Sequence, residues 1–116
     1  MYVRTKEGKI FNCFASESMG KPVYYIKDSL TNGFIDYNEV YKISPNIIDI
    51  VQAGDYVNEL PVEGYYTRYG EEKDDYIKIG IVTLEDYWEG TFTSYEYIKS
   101  IVTKEMFSSI SYKVGE

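Results

Sequence analysis

The residues of this sequence best suited to chemistry are carboxylates. Glu71, Glu72, Asp74 and Asp75 surround Lys73 within five positions, and Glu85-Asp86 is followed by Glu89. Oxygen ligands in such density can hold a hard cation, and paired acids can act as the proton donor and the nucleophile or base of a glycosidase. The first group lacks the spaced ligands and central glycine of a calcium loop, so it reads as a solvated hairpin tip. The second needs a deep cleft, and nothing in the flanking sequence supplies one.

Other chemistries are closed off by composition. Histidine is absent, which removes the usual general base at neutral pH, the Ser-His and Cys-His nucleophiles and every His-containing zinc site. Cys13 is the sole cysteine; no internal disulfide can form, and Phe11 and Phe14 beside it predict a buried structural thiol. No glycine-rich phosphate loop precedes a helix. The sequence therefore predicts a non-enzymatic protein with no cofactor and no metal.

Charge and tyrosine content point toward binding. The chain of 116 residues carries a net charge of −7, and all of that excess sits between residues 59 and 96, where ten acids face only Arg68, Lys73 and Lys78. Such a segment repels phosphates and attracts a basic protein surface, so direct nucleic-acid binding is not expected. Tyrosine occurs 14 times. Two readings of that number stand: tyrosine is favoured at interfaces, and an AT-rich genome would also write it, along with ten lysines, two arginines and two alanines. The predicted partner-binding face combines Tyr65, Tyr66, Tyr69 and Tyr76 with Glu71, Glu72, Asp74, Asp75, Glu85, Asp86 and Glu89.

Short β-segments must position these residues. Tyr2–Thr5 and Ile10–Phe14 flank a turn at Gly8; residues 16 to 21 connect to Pro22–Lys27; Asn32-Gly33 turns into Phe34–Tyr37. Ser44-Pro45 predicts a helix start, with two turns over 46–51 ended by Gly54. Residues 64–69 and 76–83 predict a long hairpin whose tip is the acidic run, with Ile77, Ile79 and Ile81 alternating toward a core. Leu84–Glu89 is ambiguous, with Trp88 as an expected core anchor. Tyr95–Val102 predicts a strand, Thr103 caps a helical turn, and Ser111–Val114 a last strand. These elements predict a mainly β single domain over 1–116, a hairpin-rich small barrel or sandwich with two short helices. Within it, 1–43 forms a hairpin-rich front half and 44–116 a barrel-like, SH3-like rear half. No repeat or linker is evident.

The stretches 44–58 and 98–107, with Tyr112–Glu116 and the opening Met1–Lys6, resemble short proteins of unassigned function encoded by phages and prophages of low-GC Gram-positive bacteria. That resemblance implies an accessory protein acting in the bacterial cytoplasm, in keeping with the lack of an apolar leader or a membrane-length apolar run. Small acidic phage proteins are similar to inhibitors of host defence, including anti-CRISPR proteins. The expected partner is accordingly a host protein with a basic nucleic-acid-binding surface. A sponge for a small nucleotide signal and a self-assembling scaffold or homodimer are the alternatives.

Overall fold

The computed structural model describes residues 1–27, 33–70 and 76–110. The chain divides into two compact units, Met1–Ile50 and Val51–Glu116. It is mainly β, with one antiparallel sheet in each unit and a few short helices.

The first unit holds β1 (Tyr2–Thr5), β2 (Ile10–Ser18), β3 (Lys21–Ile26), β4 (Phe34–Asp36) and β5 (Val40–Ser44), in the order β4-β3-β2-β1-β5. Gly8 closes the first hairpin at φ 89°, a conformation that glycine adopts without a Cβ clash. The second hairpin is tighter than the sequence suggests. Strand pairing runs to Ser18↔Lys21, and only Met19 and Gly20 turn the chain, both at positive φ. This paired-positive geometry matches the right-handed twist of its strands. Residues 16 to 18, expected in a loop, are therefore strand, and Pro22 stands second in β3 rather than first.

After β4 the chain makes a 3-10 turn at Tyr37–Glu39, and α1 (Ile47–Ile50) follows β5. This helix is shorter than the two turns expected over 46–51, and its start is capped differently. Ser44 belongs to β5; its hydroxyl donates to Asp49 Oδ2 at 2.7 Å and accepts from the Asn46 N–H. Asn46 Oδ1 takes the Ile48 N–H at 3.1 Å. The unit closes on Val3, Cys13, Tyr24 and Ile35, with Met1, Phe11, Ile26 and Val40 packed against them. Burial raises the Cys13 thiol pKa, opposed by the nearby N-terminal amine and Lys27.

In the second unit β6 (Tyr56–Val57), β7 (Leu60–Tyr69), β8 (Tyr76–Thr83) and β9 (Ile101–Val102) lie in the order β8-β7-β6-β9. The strand expected over Tyr95–Val102 is mostly absent. A 3-10 turn occupies Tyr95–Tyr97 and only two residues pair. Asn58 explains the difference: its Oδ1 accepts the N–H groups of Lys99 and Ser100 at 2.7 and 3.2 Å and its Nδ2 donates to the Tyr97 carbonyl. These backbone groups are thus bonded to a side chain instead of a ladder.

Asn58 and Glu59 form the β6–β7 turn at φ 51° and 69°. Glutamate is poorly suited to that conformation, so Glu59→Gly should raise stability by about 0.5–1 kcal/mol, read from the urea midpoint.

The sequence shows no repeat, yet both sheets follow one path. In each, the first strand pairs with the second and with the last. Val3 faces Phe11 and Ile43, just as Val57 faces Leu60 and Ile101. Cys13↔Ile26 corresponds to Val62↔Thr83, and Tyr24↔Ile35 to the isolated bridge Ile81↔Thr93. A 3-10 turn precedes the last strand each time and a helix follows it, α1 in one unit and α3 (Lys104–Ile110) in the other. What corresponds is the inward positions: Val3 and Val57, Cys13 and Val62, and Tyr24 and Ile81 are all buried. The units differ between their third strand and the next bridge, where the second unit carries α2 (Leu84–Glu89).

Candidate functional site

Helix α2 has strong local reasons to exist. Thr83 caps it reciprocally: its hydroxyl accepts the Asp86 N–H at 3.2 Å, and Asp86 Oδ2 accepts the Thr83 N–H at 3.1 Å. At the far end Gly90 sits at φ 72° and returns its N–H to the Asp86 carbonyl. Asp86 also receives the hydroxyls of Thr91 on Oδ1 at 3.0 Å and of Thr93 on Oδ2 at 2.7 Å. Asp86, one of the acids expected to meet a partner, is thus engaged in holding the fold.

Partial burial pushes the Asp86 carboxyl pKa up, but the Thr93 hydroxyl, the Thr83 N–H and hydroxyl, and the Thr91 hydroxyl together hold it below its ordinary value. A carboxylate with a depressed folded pKa contributes stability that is fully present above the unfolded pKa and lost as pH falls through the folded one. Asp86→Asn should therefore be less stable than the parent at neutral pH and lose less on acidification below about pH 4. Urea midpoints across pH 2 to 7 should show the two curves converging.

The helix buries none of its residues. Trp88, expected in the core, is 78% exposed, and Tyr87 is 66% exposed. A six-residue helix fixed by its two caps does not need the indole as an anchor. The two rings meet edge to face at 5.8 Å. Beside them runs a groove of about 460 Å³ lined by Glu63, Gly64 and Tyr65 of β7, Val82 of β8, and Leu84, Tyr87 and Trp88.

Register sets Glu63 apart. Val62 pairs with Thr83 and Gly64 with Val82, so Glu63 is the extra residue of a β-bulge, a feature that re-aims a side chain. Glu85 and Glu89 are exposed on α2. Tyr65, only half-buried, donates its hydroxyl to the Val51 carbonyl, and Lys78 Nζ lies 4.1 Å from its ring centroid.

The remaining expected residues are spread along the β7–β8 hairpin. Tyr66 stacks on Phe92 at 4.5 Å with an 8° angle between planes. Tyr69 and Tyr76 pack at 4.9 Å with their hydroxyls 3.1 Å apart, a bond that raises the Tyr76 phenol pKa. Glu71, Glu72, Asp74 and Asp75 lie outside the described residues.

Glu63, Leu84, Tyr87 and Trp88 were not singled out from the sequence as surface residues. The spacing Thr83-x-x-Asp86 with Gly90 is the signal that would have placed a capped helix here.

In the first unit a second groove of about 460 Å³ is lined in part by Lys6, Lys9, Phe11 and Phe34, together with Glu7 and Glu39. Lys9 pairs with Glu7 at 3.7 Å. Among the described residues no group of three or more acids or cysteines could hold a metal ion, and no helix is long and apolar enough to cross a membrane. No protein-family model, curated protein or solved structure matches the chain.

Proposed function

We propose that this chain is a non-enzymatic binding protein whose second unit docks the aromatic and acidic surface around α2 onto a basic surface of another protein. The carrying observation is the pairing of Tyr87 and Trp88, both largely exposed, with a groove bearing Glu63 and flanked by Glu85 and Glu89. Large rings left in water beside a cavity are what an interface later desolvates, and flanking carboxylates favour a basic partner. The excess negative charge of residues 59 to 96 supports the same direction and disfavours nucleic acid as the ligand. With the resemblance to phage and prophage accessory proteins, the reading becomes an inhibitor of a host nucleic-acid-binding defence factor in the bacterial cytoplasm.

The scaffold for this role is read as a small SH3-like barrel. First-to-last strand pairing and the 3-10 turn before the last strand support that reading in the second unit, and the same path supports it in the first.

The nucleotide-sponge alternative draws support from the groove of the first unit, where two rings accompany Lys6 and Lys9. Glu7 and Glu39 on the same wall offset those charges, so it is the weaker reading. Affinity capture of the tagged chain from host lysate, washed at rising salt, tests the leading one. A basic nucleic-acid-binding protein should be retained at low salt, released at high salt, and lost from the Tyr87→Ser/Trp88→Ser variant. Equal retention by that variant overturns the proposal, whereas an empty capture with a nucleotide-induced rise in Tm favours the sponge.

A further inference from the structure

We infer that the groove between β7 and α2 receives an arginine side chain of the partner, stacked on the Trp88 indole with its charge answered by Glu63. This rests on the docking reading above and names the chemistry of what docks. Three features of the site lead there.

The first is charge. Glu63 is the only Asp, Glu, Lys or Arg among the residues lining the groove, and Glu85 and Glu89 stand exposed on the adjoining helix. A cation entering the groove meets one sign of charge on its wall.

The second is the position of Glu63. It is the unpaired residue of the bulge between Val62 and Gly64, so its backbone is released from the regular pleat at the point where the groove opens. Gly64 beside it has nothing within 4 Å of where a Cβ would stand, which leaves room for a side chain to lie along the strand.

The third is the aromatic wall. Lys78 already takes the Tyr65 ring, and the Trp88 indole is 78% exposed. Indole is the strongest cation-binding ring, and a planar guanidinium stacks on it where a compact ammonium does not. A guanidinium can also fork both oxygens of a carboxylate. Arginine therefore fits this combination of an open indole and one carboxylate better than lysine.

Trp88 is the only tryptophan in the chain, so its emission reports on the groove directly. A capped hexapeptide alternating arginine and serine, titrated into the full-length protein, should change that emission saturably. The lysine counterpart should bind about three- to fivefold more weakly. Glu63→Gln should weaken the arginine peptide by about three- to fivefold, while Glu96→Gln, the same change of charge at an exposed residue outside the groove, should leave it within about twofold.

Unchanged emission with the arginine peptide overturns the inference, as does equal weakening by the two glutamine variants. If the Tyr87→Ser/Trp88→Ser variant loses a captured partner while the arginine peptide has no effect, the inference fails and the docking reading stands. If that variant keeps the partner, the docking reading itself fails.

Discussion

Replacing Arg4 with alanine is expected to lower the stability of the protein by about 3–5 kcal/mol. Arg4 lies on β1, opposite Ile10 on one side and Lys42 on the other, and it is fully buried, the largest side chain to be so among the described residues. Its Nη1 donates to the Ile50 carbonyl at 2.8 Å, across 46 positions of sequence. Its guanidinium carbon lies 6.0 Å from the Tyr41 ring centroid. Alanine would remove the donor that satisfies the last carbonyl of α1 and leave a void beside Ile50. A buried acceptor stripped of its donor costs about 1–3 kcal/mol, and the void adds to that. Arg4→Met separates the two contributions, since it keeps most of the volume and none of the donors; it should lose roughly half as much. Urea unfolding followed by far-ultraviolet circular dichroism measures both. Equal losses from the two variants would place the whole effect in the polar contacts.

Arg4 also shows where reading the sequence stops. A strand Tyr2–Thr5 with a turn at Gly8 was legible, because glycine at the hairpin and β-favouring residues on either side are local signals. That Arg4 would be enclosed depends on Ile50, which no local pattern connects to it. Cys13 could be placed in the core from its apolar neighbours, although Phe14, one of those neighbours, is 61% exposed.

Trp88 went the other way. Size and apolarity argue for burial, but the capping box of Thr83 and Asp86 fixes α2 without it. The Tyr95–Val102 segment carries β-favouring residues, and propensity there loses to a side chain 41 and 42 positions distant, since Asn58 takes the N–H groups of Lys99 and Ser100. The shared path of the two sheets was equally hidden. It is carried by Val3 and Val57, Cys13 and Val62, and Tyr24 and Ile81, pairs in which apolar character is kept and, except for the valines, identity is not. Connections of different length between them leave no fixed period to detect. Of the candidate site, Tyr65 and the exposed acids of the helix were legible as types, whereas Tyr87 and Trp88 were not, and the groove depends on a bulge at Glu63 that only strand pairing reveals.

Gly80 tests whether the bridge behind α2 holds the site together. It pairs with Tyr66 on β7, and a Cβ placed on it would stand 2.2 Å from Phe92 Cδ2 and 2.9 Å from the Thr93 carbonyl oxygen. The Phe92 ring is 40% exposed and can swing outward, at the cost of its stack on Tyr66. The carbonyl cannot yield so easily, because it accepts the Ile81 N–H at 2.8 Å while the Thr93 N–H returns to the Ile81 carbonyl at 2.7 Å. A methyl group therefore pushes residues 92 and 93 off β8 and draws the Thr93 hydroxyl away from Asp86, to which it donates at 2.7 Å. Gly80→Ala is expected to cost about 2–3 kcal/mol, in the range of an overpacked core rather than of a simple loss of glycine. Adding Phe92→Ala to it should restore only part of that loss, because the clash with the backbone oxygen remains. Full recovery in the double variant would assign the cost to the ring alone. Since Asp86 caps the helix that carries Tyr87 and Trp88, the same displacement should also loosen α2, seen as faster hydrogen exchange of the Asp86 and Gly90 amides, which bond to the Thr83 hydroxyl and the Asp86 carbonyl, below the unfolding transition. A variant destabilised by the expected amount with unchanged exchange at those two amides would show that α2 stands on its own capping box, independent of the bridge from Thr93.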